Sequence, residues 1–317
     1  MKVLVTDKSA EEALQVFRDA NHELTFDEMD HDALLKEIPK YDALMVRSRT
    51  KVTTEIVEAG AKGNLKVIGR AGIGVDNIDI ETAGKLGIKV VNSPTGSTKS
   101  VAELAIAHML SLVRYVPKAD TTMKKGEWIK KQLKGSELYG KTLGLIGSGY
   151  IAQHVSKIAN CIGMKVIVYS PHCTDEKASK MGATKKDFQD LLKQSDFVSL
   201  HIPHTKDSHY LLNEKTFGLM KTGAYLINVA RGGVVNENAL YKSLKDGKLA
   251  GAAVDVFEQE PPSKENKLIS LDNIILSPHL GASTKEAQIQ AGTVCADQIN
   301  KVLKGEEPDF WVNKKFM

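Results

Sequence analysis

Lys141-Thr-Leu-Gly-Leu-Ile-Gly-Ser-Gly-Tyr-Ile-Ala152 is the stretch on which the reading of this 317-residue chain turns. Its first six residues form a short apolar run of strand type. Gly147 permits a tight turn, Gly149 lets the backbone approach a pyrophosphate, and the small Ala152 keeps the following helix close to the strand. A helical pattern continues to about Ile162, and a second strand-like run covers Lys165 to Tyr169. Strand, glycine loop, helix and strand in this order form a dinucleotide-binding arrangement, in which the helix N-terminus offers free N–H groups and positive dipole to phosphates. Gly147, Gly149, Tyr150 and Ile151 are the candidate contacts, with Ser170 available to hydrogen-bond a ribose hydroxyl. The acid that normally binds the ribose about twenty residues after the loop is missing, because Ser170 follows Tyr169. NAD is the expected cofactor, with NADP left open.

The same alternation extends in both directions. Lys2 to Val5, Leu44 to Arg47, Lys66 to Ile68 and Lys89 to Val91 read as strands with helical patterns between them. In the second half, Phe197 to Ile202, Ala224 to Val229, Gly251 to Val256 and Asn273 to Leu276 repeat the theme. Short apolar strands separated by helices imply parallel α/β layering, and two doubly wound parallel-sheet units are the simplest arrangement. A long helix is expected from about Thr98 to Lys125, with capping-box spacing at Ser100-Val-Ala-Glu103 near its start. His108, inside its apolar pattern, reads as a packed side chain. Another helix is expected from Thr284 to Lys304.

Composition excludes several classes of function. With 42% hydrophobic and 26% charged residues the chain is neither disordered nor fibrous. A net charge of +4 without a dense basic run argues against nucleic acid. Three widely spaced cysteines, Cys161, Cys173 and Cys295, support neither a disulfide framework nor a zinc ribbon, and Cys161 and Cys295 are expected to pack as small hydrophobes. A metal site from His172, Cys173, His201 and His204 matches no standard zinc spacing, so none is expected. No stretch has signal-peptide or membrane-span character, and the cytoplasm is the expected compartment.

Three strand ends carry polar residues that no core requires: Asn228-Val-Ala-Arg-Gly-Gly233, Asp255-Val-Phe-Glu-Gln-Glu-Pro261 and Ser277-Pro-His-Leu-Gly-Ala-Ser283. Ligands bind at such ends in doubly wound sheets. An arginine, a carboxylate and a histidine there supply an anchor, an orienting partner and a proton donor, the set that hydride transfer at a keto acid needs.

These motifs, together with Val46-Arg-Ser-Arg-Thr-Lys-Val52, Gly69-Arg-Ala-Gly-Ile-Gly-Val-Asp-Asn77, Ala253-Val-Asp-Val-Phe257 and Pro278-His-Leu-Gly-Ala-Ser-Thr-Lys-Glu-Ala287, resemble the D-isomer-specific 2-hydroxy acid dehydrogenases over nearly the whole chain. The resemblance is strongest to the members acting on 3-phosphoglycerate in serine biosynthesis. It implies a Rossmann-type dinucleotide-binding domain over residues 95–281 and a smaller flavodoxin-like substrate domain from residues 1–94 with 282–317. It makes His279 the general acid, Glu260 its partner and Arg231 the cation that orients the substrate. It places Asp255 near the nicotinamide carboxamide and His201, Pro203 and Ala230 beside the cofactor. The N–H groups of Gly72, Ile73 and Gly74 would meet the substrate carboxylate.

Arg47, Arg49 and Arg70, with Lys130 and Lys131, suggest an anion clamp for a phosphorylated substrate. Ser97 departs from the asparagine often found nearby in the phosphoglycerate members, which keeps glycerate and hydroxypyruvate in play. A corepressor-like protein that senses dinucleotide is the alternative from another class, and formate dehydrogenase is disfavoured because that group has glutamine at the position of Glu260. The helix after Pro94 resembles the family's dimer-forming region and implies a homodimer. With the chain stopping soon after Asp309-Phe-Trp-Val-Asn313, no appended regulatory domain, and no serine feedback through one, is expected.

Overall fold

A computed structural model describes residues 1–317, which divide into two units, residues 1–98 with 282–317 and residues 99–281. In the first unit β1 (Lys2–Val5), α1 (Glu11–Asp19), β2 (Glu23–Phe26), α2 (His31–Glu37), β3 (Ala43–Val46), α3 (Thr54–Ala61), β4 (Val67–Arg70), α4 (Ile80–Lys85) and β5 (Lys89–Asn92) follow one another. Their strands form a parallel sheet of order β2-β1-β3-β4-β5, the flavodoxin-like order. Because both faces must be covered, the inner strands are apolar along most of their length: Val3 and Val5 face a core with Ala13, Phe17, Cys295 and Ile299. Leu4, Leu44, Ile68 and Val90 face the opposite core, with Leu34, Ile56 and Ala83.

The connection to the second unit is α5 (Thr98–Arg114), followed by α6 (Val116–Lys124). The single helix expected over this stretch is broken at Tyr115, whose φ of 53° is left-handed. Pro117, in the first turn of α6, has no N–H to donate, and its ring would clash with the carbonyl four residues back. α5 starts at Thr98, so Ser100 lies inside the first turn rather than at the N-cap.

The second unit continues through β6 (Thr142–Ile146), α7 (Tyr150–Cys161), β7 (Lys165–Tyr169), α8 (Asp175–Lys180), β8 (Thr184–Lys185), α9 (Phe188–Gln194) and β9 (Phe197–Leu200). It ends with α10 (Glu214–Leu219), β10 (Ala224–Asn228), α11 (Glu237–Lys245), β11 (Leu249–Val254) and β12 (Ile274–Leu276). The sheet order is β12-β11-β10-β9-β6-β7-β8, all parallel. This is the Rossmann order with one more strand beyond β11, and the direction of winding reverses between β6 and β9. One core packs α5 and α7 on the sheet through Ala105, Met109, Ala152 and Val155. The other packs α9, α10 and α11 through Leu191, Phe217 and Leu240.

Two strands lie outside the sequence expectations, and both are sheet edges. β2 is half exposed along its length, and β8 is two exposed residues. Neither offers the apolar run by which a buried strand is recognised.

After the second unit, α12 (Lys285–Leu303) returns to the first. Thr284 caps it, its hydroxyl accepting from the Ala287 N–H at 3.1 Å. The helix approaches α1 so closely that a Cβ on Gly292 would lie 2.6 Å from the Ala13 methyl. Beyond it, fully buried Asn313 completes the first sheet, accepting from the Val90 N–H at 2.8 Å and donating to the Ile88 carbonyl at 2.9 Å. Gly292→Val is expected to force α1 and α12 apart and to cost about 1–3 kcal/mol. A lower urea midpoint with unchanged slope would record that loss, and an unchanged midpoint would contradict the close packing.

Candidate active site

The glycine loop sits where the second sheet reverses its winding. Gly147 has φ +114°, a Cβ there would strike the His201 carbonyl, and its N–H donates to the Tyr169 carbonyl at 2.8 Å. Only glycine meets both demands. Gly149 is the N-cap of α7 in extended conformation, and a Cβ on it would face open space. Ala152 is fully buried between α7 and the sheet, Tyr150 is exposed and Ile151 half-buried.

Ser170 is half-buried at the end of β7, and Pro203 is exposed beyond β9. Just after β9, the His201 Nε2 lies 2.9 Å from the Ser199 hydroxyl, while its Nδ1 is buried without a partner. Burial pushes the His201 pKa down to about 3, so the ring is neutral. Open space above Gly149 and an unpartnered ring nitrogen beside the same loop are what a bound dinucleotide would fill.

At the end of β11 and beyond β12 the chain brings a histidine and a carboxylate together. His279 Nδ1 lies 2.8 Å from Glu260 Oε2, and the other Glu260 oxygen accepts from the Phe257 N–H at 3.1 Å. Burial raises the Glu260 pKa, but the bond and charge of His279, the Phe257 N–H and the charge of Arg231 together hold it below the usual carboxylate range. His279 has φ +55°, a left-handed conformation that histidine adopts more readily than most residues.

That conformation is held from behind by Asp255, 1% exposed. Its carboxylate accepts from Ser277 Oγ at 2.6 Å, Leu280 N at 2.7 Å and Gly281 N at 2.9 Å, and its carbonyl accepts from His279 N at 2.8 Å. Whatever else Asp255 contacts, its carboxylate organises the His279 loop.

Arg231 follows β10, with Nη1 donating to the Ala230 carbonyl at 2.7 Å. The Ala230 N–H is itself fixed on the Asn228 side chain at 3.1 Å. The neighbouring Gly232 lies so near the Phe257 carbonyl that a Cβ would collide with backbone. The arginine loop and the Glu260 loop are therefore packed main chain to main chain. Glu258 adds a second fastening: its Oε1 caps the Glu237 N–H at 2.8 Å and its Oε2 accepts from Tyr210 at 2.9 Å.

In the first unit Arg47 and Arg49 are organised by Asp7, 3% exposed and absent from the sequence reading. Its carboxylate accepts from Arg47 N, Thr50 Oγ1 (2.9 Å) and Arg49 Nε (3.0 Å). Arg49 Nη2 donates to the Thr6 carbonyl, and Arg47 Nη1 to the Lys8 carbonyl at 3.1 Å. One edge of the Arg49 guanidinium is thus spent on the protein. A carboxylate just past an apolar strand was the available signal for Asp7.

Among the expected backbone donors, the Gly72 N–H is already given to the Arg70 carbonyl at 2.8 Å, which leaves Ile73 and Gly74. Gly72 has φ +152°, a backbone conformation that L side chains rarely adopt, and the Arg70 guanidinium occupies the space where a Cβ would be. Lys130 and Lys131 form a short 3-10 turn in the second unit.

Cys295 is buried, and burial, partly opposed by Arg70, pushes its thiol up to about 12. Cys161 is exposed, against expectation, because the last residue of α7 turns away from the core. No group of three or more His, Cys, Asp or Glu is gathered to hold a metal, and no helix is long and apolar enough to cross a membrane.

The two loop glycines separate folding from binding. Gly149→Val meets open space in an ordinary conformation, so stability should change by no more than about 1 kcal/mol. A dinucleotide on the loop would meet the new side chain, and NADH affinity should fall roughly tenfold or more. Calorimetric titration reads the difference, and unchanged affinity would place the cofactor elsewhere.

Comparison with known proteins agrees with this geometry. Residues 106–281 match the family model described as D-isomer specific 2-hydroxyacid dehydrogenase, NAD binding domain. A D-3-phosphoglycerate dehydrogenase of Methanocaldococcus jannaschii is 48% identical over 314 residues, covering 99% of this chain and 59% of that protein. The chain therefore spans about three fifths of that relative's length. A hydroxypyruvate reductase of Thermotoga maritima is 46% identical over 305 residues, covering 95% of this chain and 98% of that one. The solved structure of a glyoxylate reductase from Paecilomyes thermophila has a TM-score of 0.90 at 26% identity, with 99% of each chain covered. Glycine loop, paired His279 and Glu260, and sequence similarity along the chain lead to one conclusion: this chain belongs to the D-isomer specific 2-hydroxyacid dehydrogenase family.

Proposed function

We propose that the chain is an oxidoreductase that interconverts a D-2-hydroxy acid and its 2-keto acid with NAD(H), most favourably 3-phosphoglycerate and 3-phosphohydroxypyruvate. The observation that carries this reading is the 2.8 Å contact of His279 Nδ1 with Glu260 Oε2. With Nδ1 engaged, Nε2 is the ring atom left to exchange a proton with substrate. The bound nicotinamide supplies or accepts the hydride. In reduction, His279 Nε2 gives its proton to the carbonyl oxygen as that oxygen becomes an alkoxide, and in oxidation it takes the hydroxyl proton. Glu260 stays ionised and holds the imidazolium. Arg231 orients the substrate carboxylate and carbonyl oxygen while keeping its charge. The second unit serves as cofactor domain and the first as substrate domain.

A specific observation favours the unphosphorylated pair, glycerate and hydroxypyruvate, as the second reading. Arg49, a member of the expected phosphate clamp, has its Nε committed to Asp7 and its Nη2 to Thr6. The 46% identity to a hydroxypyruvate reductase points the same way. Ser170 at the ribose position lacks the negative charge that would repel a 2′-phosphate, so preference for NAD over NADP rests on weaker grounds than electrostatic exclusion. A protein that only senses dinucleotide would bind both cofactors without turnover.

The test is a steady-state panel of both substrate pairs and lactate, with NAD(H) and NADP(H). Phosphorylated substrate with NAD(H) is expected to have the highest kcat/KM, and absence of turnover with every acid would overturn the enzymatic reading. His279→Ala should lose about 100-fold or more in the hydride-transfer rate while still binding NADH. In Glu260→Gln the acid limb that Glu260 sets in the pH profile of reduction should disappear, because the amide does not titrate. The depressed Glu260 pKa means the pairing is present above the ordinary carboxylate range and is lost as pH falls through the depressed value. An unmoved profile would remove Glu260 from this role.

A homodimer through α5, α6 and the loop after them is supported by a series of exposed apolar side chains. Leu110, Tyr115, Val116 and Met123 are exposed, and Trp128 and Tyr139 are each 76% exposed. Single exposed apolar residues are ordinary, whereas a concentration of them in one segment marks an interaction surface. Sedimentation should give a dimer mass, and Trp128→Glu should lower it. A wild-type monomer at assay concentration would refute this assembly.

A further inference from the structure

Behind the His279 loop lies a chain of polar groups, buried at Asp255 and His108 and half-buried at Ser277, that proton transfer to substrate does not use. Ser277 Oγ is 2.6 Å from Asp255 Oδ1 and 3.3 Å from Nε2 of His108, which projects from α5 and is 6% exposed. A serine hydroxyl has one proton to give. Both Asp255 oxygens are surrounded by donors, Ser277 and Leu280 on one and Gly281 on the other, so the carboxylate accepts and the serine proton goes to it. Ser277 Oγ must then accept from His108, which fixes the His108 proton on Nε2. Burial lowers the His108 pKa more than the charge of Asp255 raises it, which agrees with a neutral ring carrying a single N–H.

We propose that His108 is a positioning residue for His279, acting through the chain His108 Nε2–H to Ser277 Oγ–H to Asp255. The Asp255 carboxylate gathers the N–H groups of Leu280 and Gly281, and its carbonyl takes that of His279. A rotation of the carboxylate would release the loop that keeps His279 left-handed and its Nδ1 against Glu260. The two backbone donors hold one carboxylate oxygen each. The serine hydroxyl, itself held by a helix-borne imidazole, supplies the third point that fixes its plane. A loop histidine displaced by a fraction of an ångström loses its aim at the substrate oxygen, and kcat suffers before binding does. The proposal rests on the reading of His279 as the acid.

The test uses the full chain, with the keto acid selected by the substrate panel. His108→Leu should lower kcat roughly tenfold and leave the NADH dissociation constant within about twofold of the parent value. His108→Gln, whose amide N–H can reach the position of Nε2, should recover most of that loss. Ser277→Ala should resemble His108→Leu, and the double variant should be no worse than either single one, because both cut the same chain. Wild-type kcat in His108→Leu, a glutamine no better than leucine, or additive losses would each overturn the proposal.

If His108→Leu does not fold, the histidine nitrogen spectrum of the unmodified protein decides. The Nε2–H tautomer of His108 is required, and the Nδ1–H tautomer would refute the chain. A His279→Ala variant turning over at the parent rate would instead sink the acid assignment, leaving the tautomer as an independent reading of the hydrogen bonds.

Discussion

The second unit depends on one constraint, the backbone approach at the point where its sheet changes winding direction. β6 is paired to β7 on one side and to β9 on the other, and the chain leaves β6 and β9 towards opposite faces. The crevice between those departures is where a ligand can reach backbone N–H groups. It stays open only because Gly147 turns left-handed against the His201 carbonyl and Gly149 presents no side chain. Parallel pairing also brings the ends of β9, β10, β11 and β12 to the same edge. That is why residues as distant in sequence as His201, Arg231, Asp255 and His279 are carried on one rim.

On that rim the polar loops support each other by contacts with little tolerance. Gly232 meets the Phe257 carbonyl without room for a methyl group, and Glu258 and Glu237 exchange backbone-to-carboxylate bonds. Asp255 takes three donors on a carboxylate withdrawn from water. Leaving such a group unpaired would cost several kcal/mol on the order expected for buried charge, so loop and carboxylate hold one another. His279 stays exposed while its backbone is held by partners beneath it. The cost of its left-handed backbone, about 1–3 kcal/mol for such residues, is offset by the same bonds.

The first unit uses a comparable device. Asp7, at the end of β1, draws in the loop that follows β3 through main-chain, hydroxyl and guanidinium donors. Asn77 fastens the same loop by donating to the Arg47 and Thr50 carbonyls at 2.8 and 2.6 Å. The arginines there are consequently held in place by the protein, and the charge they offer a ligand is what remains after those bonds are made. In the proposed function, that remainder is what separates the phosphorylated from the unphosphorylated substrate.

Sequence by itself determined the parallel α/β layering, the glycine loop and the three polar strand ends, because each is written in neighbouring residues. Strand apolarity follows from burial on both faces, Gly147 and Gly149 answer to local backbone demands, and Arg231, Glu260 and His279 stand just past apolar runs. The edge strands β2 and β8 were not legible, since half-exposed strands lack that apolar signature. The break at Tyr115 was available in Pro117 but concealed by an otherwise continuous helical pattern. Tertiary structure alone decided the partners. Arg49 meets Asp7 across 42 residues and Ser277 meets His108 across 169, and no periodicity encodes such pairs. It also turned the Gly72 N–H towards Arg70 and left Cys161 in solvent. Hydrogen bonds are short-ranged and directional, so a residue's chemical task depends on which donors and acceptors the folded backbone brings within about 3 Å, and sequence spacing does not contain that distance.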